Sequence, residues 1–196
     1  MKHFSLSIMI LLAVVGTAMA QPASFRSSEP FKAQYILGAN FVPEWQVSHR
    51  TSMGGRSYRA FSPNAGLSFE ARITRHSGIE TGFYYRNVKY PAGKPIDPAG
   101  AAYAARYDRY LSIPLVYRYY SRIVNAAIGV NYDLLLTSAG QGNRIGMILK
   151  VSKDVVLYKG LFLEPELHFN PFWEDGGINN SWIGLALGLK YRFRAL

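Results

Sequence analysis

The feature that most constrains this chain is an alternation of apolar and polar residues, repeated along segments of about ten residues. It is clearest near the C-terminus, where Ile183, Leu185, Leu187, Leu189, Tyr191 and Phe193 alternate with Trp182, Gly184, Ala186, Gly188, Lys190 and Arg192. Successive side chains on a strand point to opposite faces, so this segment has one apolar and one polar face. Seven further segments read the same way: Lys32–Val42, Pro63–Arg75, Gly78–Lys89, Arg109–Tyr120, Ile123–Asp133, Arg144–Val155 and Gly160–Asn170. Strands of this length suit a tilted passage through a bilayer. No segment after the N-terminal region has the roughly 18 consecutive apolar residues of a membrane-spanning helix.

The connections follow a rule of their own. Long segments (Pro43–Ser62, Tyr90–Asp108, Leu134–Asn143 and Pro171–Ser181) alternate strictly with short ones (His76-Ser77, Ser121-Arg122 and Val156–Lys159). Short turns at one end and long loops at the other characterise outer-membrane barrels, with both termini on the periplasmic side.

Met1–Ala20 supports export. Lys2 and His3 form a basic start, Ile8–Val15 is unbroken apolar sequence, and Ala18-Met19-Ala20 is a small-x-small cleavage site. These are the three regions of a secretory signal peptide. Residues 21–31 then read as a periplasmic lead-in and 32–196 as the barrel domain. The chain carries 22 Lys+Arg against 12 Asp+Glu, a net charge of +10. In a secreted barrel that surplus does not indicate a nucleic-acid binder. The absence of cysteine excludes disulfides, thiolate metal sites, a cysteine nucleophile and a lipidated N-terminus.

Alternation alone does not say which face is outside, because a soluble barrel of lipocalin type puts its apolar face inward. The polar face decides. It carries Gly38, Gly66, Gly82, Gly129, Gly146, Gly184 and Gly188 between long charged residues of both signs. Glycine weakens a solvent-facing strand, whereas small residues between large ones suit a narrow lumen filled by side chains. The expected fold is therefore an all-β, eight-stranded, antiparallel, up-and-down transmembrane barrel. Glu70, Arg72, Glu80, Arg86, Arg118, Lys150, Glu164, Glu166, His168, Lys190 and Arg192 are expected to form an ion-pair network that closes the lumen.

Aromatic residues cluster toward strand ends, with Trp45, Trp173 and Trp182 on the loop side and Tyr35, Tyr117, Tyr119, Tyr191 and Phe193 on the turn side. Such belts mark the lipid headgroup regions. Pro114 and Pro165 fall within strands and call for a bulge or a position near the rim.

The run Tyr110-Leu111-Ser112-Ile113-Pro114-Leu115-Val116-Tyr117-Arg118-Tyr119-Tyr120 resembles a strand of PorT-like, porin-family outer-membrane barrels of Bacteroidota. The turn Ser121-Arg122, the strand Ala126-Ala127-Ile128-Gly129-Val130 and the closing strand Gly184–Phe193 match the family's continuation. The resemblance implies an outer-membrane barrel and brings no catalytic residues. Barrels handled by the assembly machinery, the expected partner during biogenesis, commonly end on an aromatic residue, whereas Arg194-Ala195-Leu196 follow Phe193 here.

His168, near Glu166 and Asn170, is the one candidate for rim hydrolase chemistry, but no G-x-S-x-G or Ser-His spacing accompanies it. No catalytic residue, cofactor or metal site is expected. Basic residues of the long loops, Arg50, Arg56, Arg59, Lys94, Arg106 and Arg109 together with Lys89 and Arg144, are candidates for contact with lipopolysaccharide phosphates. The expected role is structural or surface-interacting, with narrow passage of solutes or ions as the alternative.

Overall fold

A computed structural model describes residues 31–47, 61–90, 106–137, 142–174 and 177–194. The elements are β1 (Gln34–Gln46), β2 (Phe61–Arg72), β3 (Ser77–Tyr90), β4 (Arg106–Tyr120), β5 (Asn125–Leu135), β6 (Arg144–Ser152), β7 (Val155–Tyr158), β8 (Leu161–Glu174) and β9 (Gly177–Arg194). Consecutive strands pair antiparallel except β6 and β7, β9 pairs with β1, and β6 and β7 both pair with β8. β6 and β7 are thus one barrel strand interrupted at Lys153-Asp154, where Arg144–Val155 read as continuous from sequence. The result is a closed eight-stranded up-and-down barrel.

Closure has a measurable stagger. Partners followed from Gln34 run through Arg72, Gly78, Arg118, Ala127, Lys150, His168 and Gly184 to Glu44. One circuit therefore returns to β1 ten residues further along. That stagger obliges the strands to tilt and leaves an interior that side chains can fill.

The barrel is apolar outside and charged inside. Leu67 and Phe83 are 66% and 61% exposed on the outer face, while Glu80 and Arg118 on the inner face are each 1% exposed. In water, so much large apolar surface would be unfavourable by about 25 cal/mol per Å². In a bilayer the same surface meets hydrocarbon, and every backbone group of a closed barrel can pair internally. The physical state consistent with both faces is a membrane-spanning barrel.

Strands run further toward the loop end than periodicity indicates. β1 continues through Pro43 to Gln46, and β8 and β9 absorb nearly all of Pro171–Ser181, which was expected to be a long loop. Proline explains the misreading, since it usually ends a strand. Five prolines nevertheless lie within strands, and each coincides with one interruption of residue-by-residue pairing. Pro43 falls in the gap of β1–β9, Pro63 in that of β2–β3, Pro114 in that of β3–β4, and Pro171 in that of β6–β8. Pro165 faces the break between β6 and β7. Its carbonyl accepts the Lys153 N–H at 3.2 Å, so the N–H it lacks would have pointed to that same side. At Pro114 the Thr81 hydroxyl donates to the proline carbonyl at 2.8 Å.

The turn end is built locally. Ser121 Oγ accepts the N–H groups of Ile123 (3.3 Å) and Val124 (3.1 Å), and Thr74 Oγ1 accepts those of His76 (3.1 Å) and Ser77 (2.9 Å). Gly160, at φ 78°, occupies the left-handed position of the β7–β8 hairpin.

Candidate functional site

The lumen is the chemically distinctive region, and its charged groups fall into two clusters. The inner cluster, nearer the turn end, is centred on Arg118 of β4. Its guanidinium contacts Glu80 of β3 and Glu164 of β8, lies 3.2 Å from Glu70 of β2, and donates to Ser152 of β6 at 2.9 Å. Lys190 of β9 contacts Glu164 and lies 3.1 Å from Glu80 and 3.6 Å from Glu70. Lys150 of β6 reaches Glu80 at 2.7 Å and Glu166 at 3.4 Å. The Tyr120 hydroxyl donates to Glu70. Six barrel strands are tied together by these contacts. Shared carboxylates let each cation satisfy several partners, which is the condition for burying charge without a large desolvation penalty.

The outer cluster begins at Glu44 of β1. Its carboxylate accepts from Arg86 (2.5 Å), Asn64 (2.6 Å) and Asn170 (2.7 Å), and lies 2.7 Å from His168 Nε2. Arg86 also donates to Asp133 at 2.8 Å, as Arg144 does at 2.7 Å. Asp133 and Arg144 are register partners on β5 and β6, an opposite-charge cross-strand pair. Above these groups Val88, Tyr110, Phe172 and Trp182 form a fully buried cluster. The Arg86 guanidinium stands 5.1 Å from the Phe172 ring centre, and that of Arg144 4.1 Å from the Tyr110 ring centre.

His168 joins the two clusters. Nε2 faces Glu44 of the outer one, and Nδ1 is 3.5 Å from Glu166 of the inner one. The ring needs Gly184 beside it, because a Cβ there would lie 2.4 Å from Nε2. A small cavity of about 30 Å³ adjoins this joint, lined in part by Glu44, Tyr84, Lys150, Glu166 and Asn170.

Of the eleven residues expected in the lumen, Glu70, Glu80, Arg86, Arg118, Lys150, Glu164, Glu166, His168 and Lys190 lie in these two clusters. Arg72 and Arg192 do not join them. Arg72 donates to the Arg75 carbonyl at 2.6 Å and stands 4.1 Å from the Tyr120 ring centre. Arg192 pairs with Asp154 at 2.9 Å, about a quarter exposed. Both occupy the turn-end rim.

Three expectations are corrected. Trp182 is a fully buried lumen residue, where a lipid-belt position was expected, while Trp45 and Trp173 are exposed on the outer face. Arg144 is buried against Asp133, not a loop cation. Glu44, Asp133 and Arg144 complete the outer cluster although sequence reading assigned none of them to it. Period two extended past Pro43 would have placed Glu44 inward with Ile36 and Val42. Of the loop cations, Arg50, Arg56, Arg59 and Lys94 lie outside the described residues, as does the leader, and only the backbone of Arg106 is described. Arg109 is exposed at the loop end.

No known family model and no curated protein matches the sequence. Among solved structures, the chain is similar to Ail, the attachment invasion locus protein of Yersinia pestis, crystallised with the heparin analogue sucrose octasulfate. That match has 9% identity and a TM-score of 0.46, and covers 83% of this chain and 100% of that one. It is also similar to Neisserial surface protein A, at 14% identity and a TM-score of 0.45, covering 82% of this chain and 97% of that one. The translocator domain of the autotransporter NalP from Neisseria meningitidis aligns at 11% identity and a TM-score of 0.36, covering 97% and 96%.

Proposed function

We propose that the chain is an integral outer-membrane protein of a Gram-negative envelope, exported through a cleaved leader at 1–20. It acts as a non-enzymatic structural or surface-interaction barrel. The observation that carries this reading is the inversion of polarity, with large apolar residues exposed around the wall and carboxylates and cations buried within. Lumen closure is supported by the stacked clusters, and no charge of the inner cluster lacks a partner within 3.6 Å among the described residues. His168 is held between Glu44 and Glu166, which favours a joint over a hydrolytic base.

In this reading the turn end faces the periplasm and the loop end the exterior, where Arg109 and the basic loops would meet lipopolysaccharide phosphates. The PorT-like, porin-family resemblance rests on the Tyr110–Tyr120 strand and its continuation. Biogenesis would then run through the barrel assembly machinery. The cavity beside His168 favours one second reading, a narrow passage for small solutes or ions.

Membrane fractionation with heat-modifiable gel mobility tests the main reading. Recovery in the outer membrane, with a fast-migrating unboiled form, is expected; a soluble protein without that form would overturn it. Planar-bilayer recording separates the two roles. A large, persistent conductance would replace the closed barrel with the passage.

A further inference from the structure

The turn end of the barrel gathers basic side chains among the described residues. Lys32, Arg75, Arg122, Lys153 and Lys159 sit at the turn end with side chains exposed or half-exposed. The one acidic residue among the described residues of this rim, Asp154, is already engaged by Arg192 at 2.9 Å and Asn125 at 2.7 Å. A basic ring of this kind attracts anions.

A groove on the outer wall leads to part of that ring. It has a volume of about 540 Å³ and crosses β4, β5, β6 and β8. Tyr117 and Tyr119 form one bank and Leu167 and Phe169 the other, with the small Ala126 at the floor. Ala126 pairs with Tyr119 on one side and Val151 on the other, at the turn-end limit of β5 and β6. Immediately beyond lie Arg122 and Lys153, and the Lys153 amine donates to the Arg122 carbonyl at 2.6 Å. The cations therefore stand where the hydrocarbon-facing groove reaches the headgroup level, which is also where the two tyrosines belong.

We infer that this groove and the cations at its end form a site for one anionic phospholipid of the periplasmic leaflet. An acyl chain lies between the tyrosine and leucine–phenylalanine banks, and the phosphate meets Lys153 and Arg122. The inference rests on the membrane reading above and extends it to a specific lipid class. Charge complementarity selects the occupant: a net-negative headgroup gains from each basic residue about fivefold in binding, whereas a zwitterionic one gains little.

The test uses the full mature chain, folded in detergent and titrated with phosphatidylglycerol or phosphatidylcholine, with adducts read by native mass spectrometry. Wild type should retain phosphatidylglycerol selectively. The double variant Arg122→Gln/Lys153→Gln should weaken that adduct by about tenfold or more. Ala126→Trp, which fills the groove at a lipid-facing position, should also remove it while leaving heat-modifiable mobility intact. Equal retention of both lipids, or a phosphatidylglycerol adduct untouched by either variant, would overturn the site. Displacement of the lipid by inorganic phosphate alone would overturn the groove's part in it. Failure of the wild-type chain to float with vesicles would instead refute the membrane reading itself, so the two failures are distinguishable.

Discussion

The inner and outer halves of the lumen solve the same problem by different means. The inner half buries charge against charge, with Arg118 and Lys190 each serving Glu70, Glu80 and Glu164. The outer half holds Arg86 and Arg144 on one shared carboxylate, Asp133, and lays both guanidiniums over aromatic rings. The first arrangement braces strands, since its partners come from β2, β3, β4, β6, β8 and β9. The second seals, since Val88, Tyr110, Phe172 and Trp182 are fully buried with it. A lumen can thus be closed redundantly, by an ionic layer and by an aromatic one.

The largest effect that would break this comparison is Arg118→Met. It removes the cation at the centre of the cluster and leaves Glu70 and Glu164 to the Lys190 cation alone, with Lys150 also on Glu80, so about 3–5 kcal/mol of stability should be lost, read from urea titration of the fast-migrating form in vesicles. A loss no larger than that of Arg86→Met would mean the inner layer is not the brace. Next comes Trp182→Ala, at about 3 kcal/mol from the cavity it leaves. If the layers close the lumen independently, this variant should remain non-conducting in planar bilayers; open channels would show that the aromatic layer alone is the seal.

Arg86→Met should cost less, about 1–3 kcal/mol. Glu44 keeps Asn64, Asn170 and His168, and Asp133 keeps Arg144. The smallest effect, about 1 kcal/mol, is expected for His168→Gln, which can reach one carboxylate but not both. Its sharper readout is a double-mutant cycle between Glu44→Gln and Glu166→Gln. Coupling between those positions should fall below about 0.5 kcal/mol once His168 is replaced. Undiminished coupling would mean the halves communicate by another route.

Much of this arrangement was legible in the sequence. Period two placed Glu70, Glu80, Glu164 and Lys190 on one face, and the glycines between them identified that face as the lumen. The pairing of Arg118 with Glu164 was not legible, because the contacting strands are far apart in the chain and meet only through the stagger of the closed barrel. The outer cluster was hidden by a different cause. Pro43 and the polar run Pro171–Ser181 carry loop chemistry, and nothing local announces that β1, β8 and β9 continue through them. Glu44 was lost with those extensions, whereas Trp182 already lay on the polar face of the alternation and its residue type pointed to the belt instead.

The in-strand prolines divide the wall into units of unequal cohesion. Pairing is unbroken between β1 and β2, between β4 and β5, and between β5 and β6, and it runs from Leu161 to Phe172 between β8 and β9 before its one shift. The remaining junctions each contain a gap, including β1–β9, where the two ends of the chain close the cylinder. The cylinder is therefore a set of stout ribbons laced along weaker seams. Slow amide exchange should survive longest in the middle of the β4–β5–β6 ribbon and fade first along the seams, among them β1–β9, where the first and last strands meet.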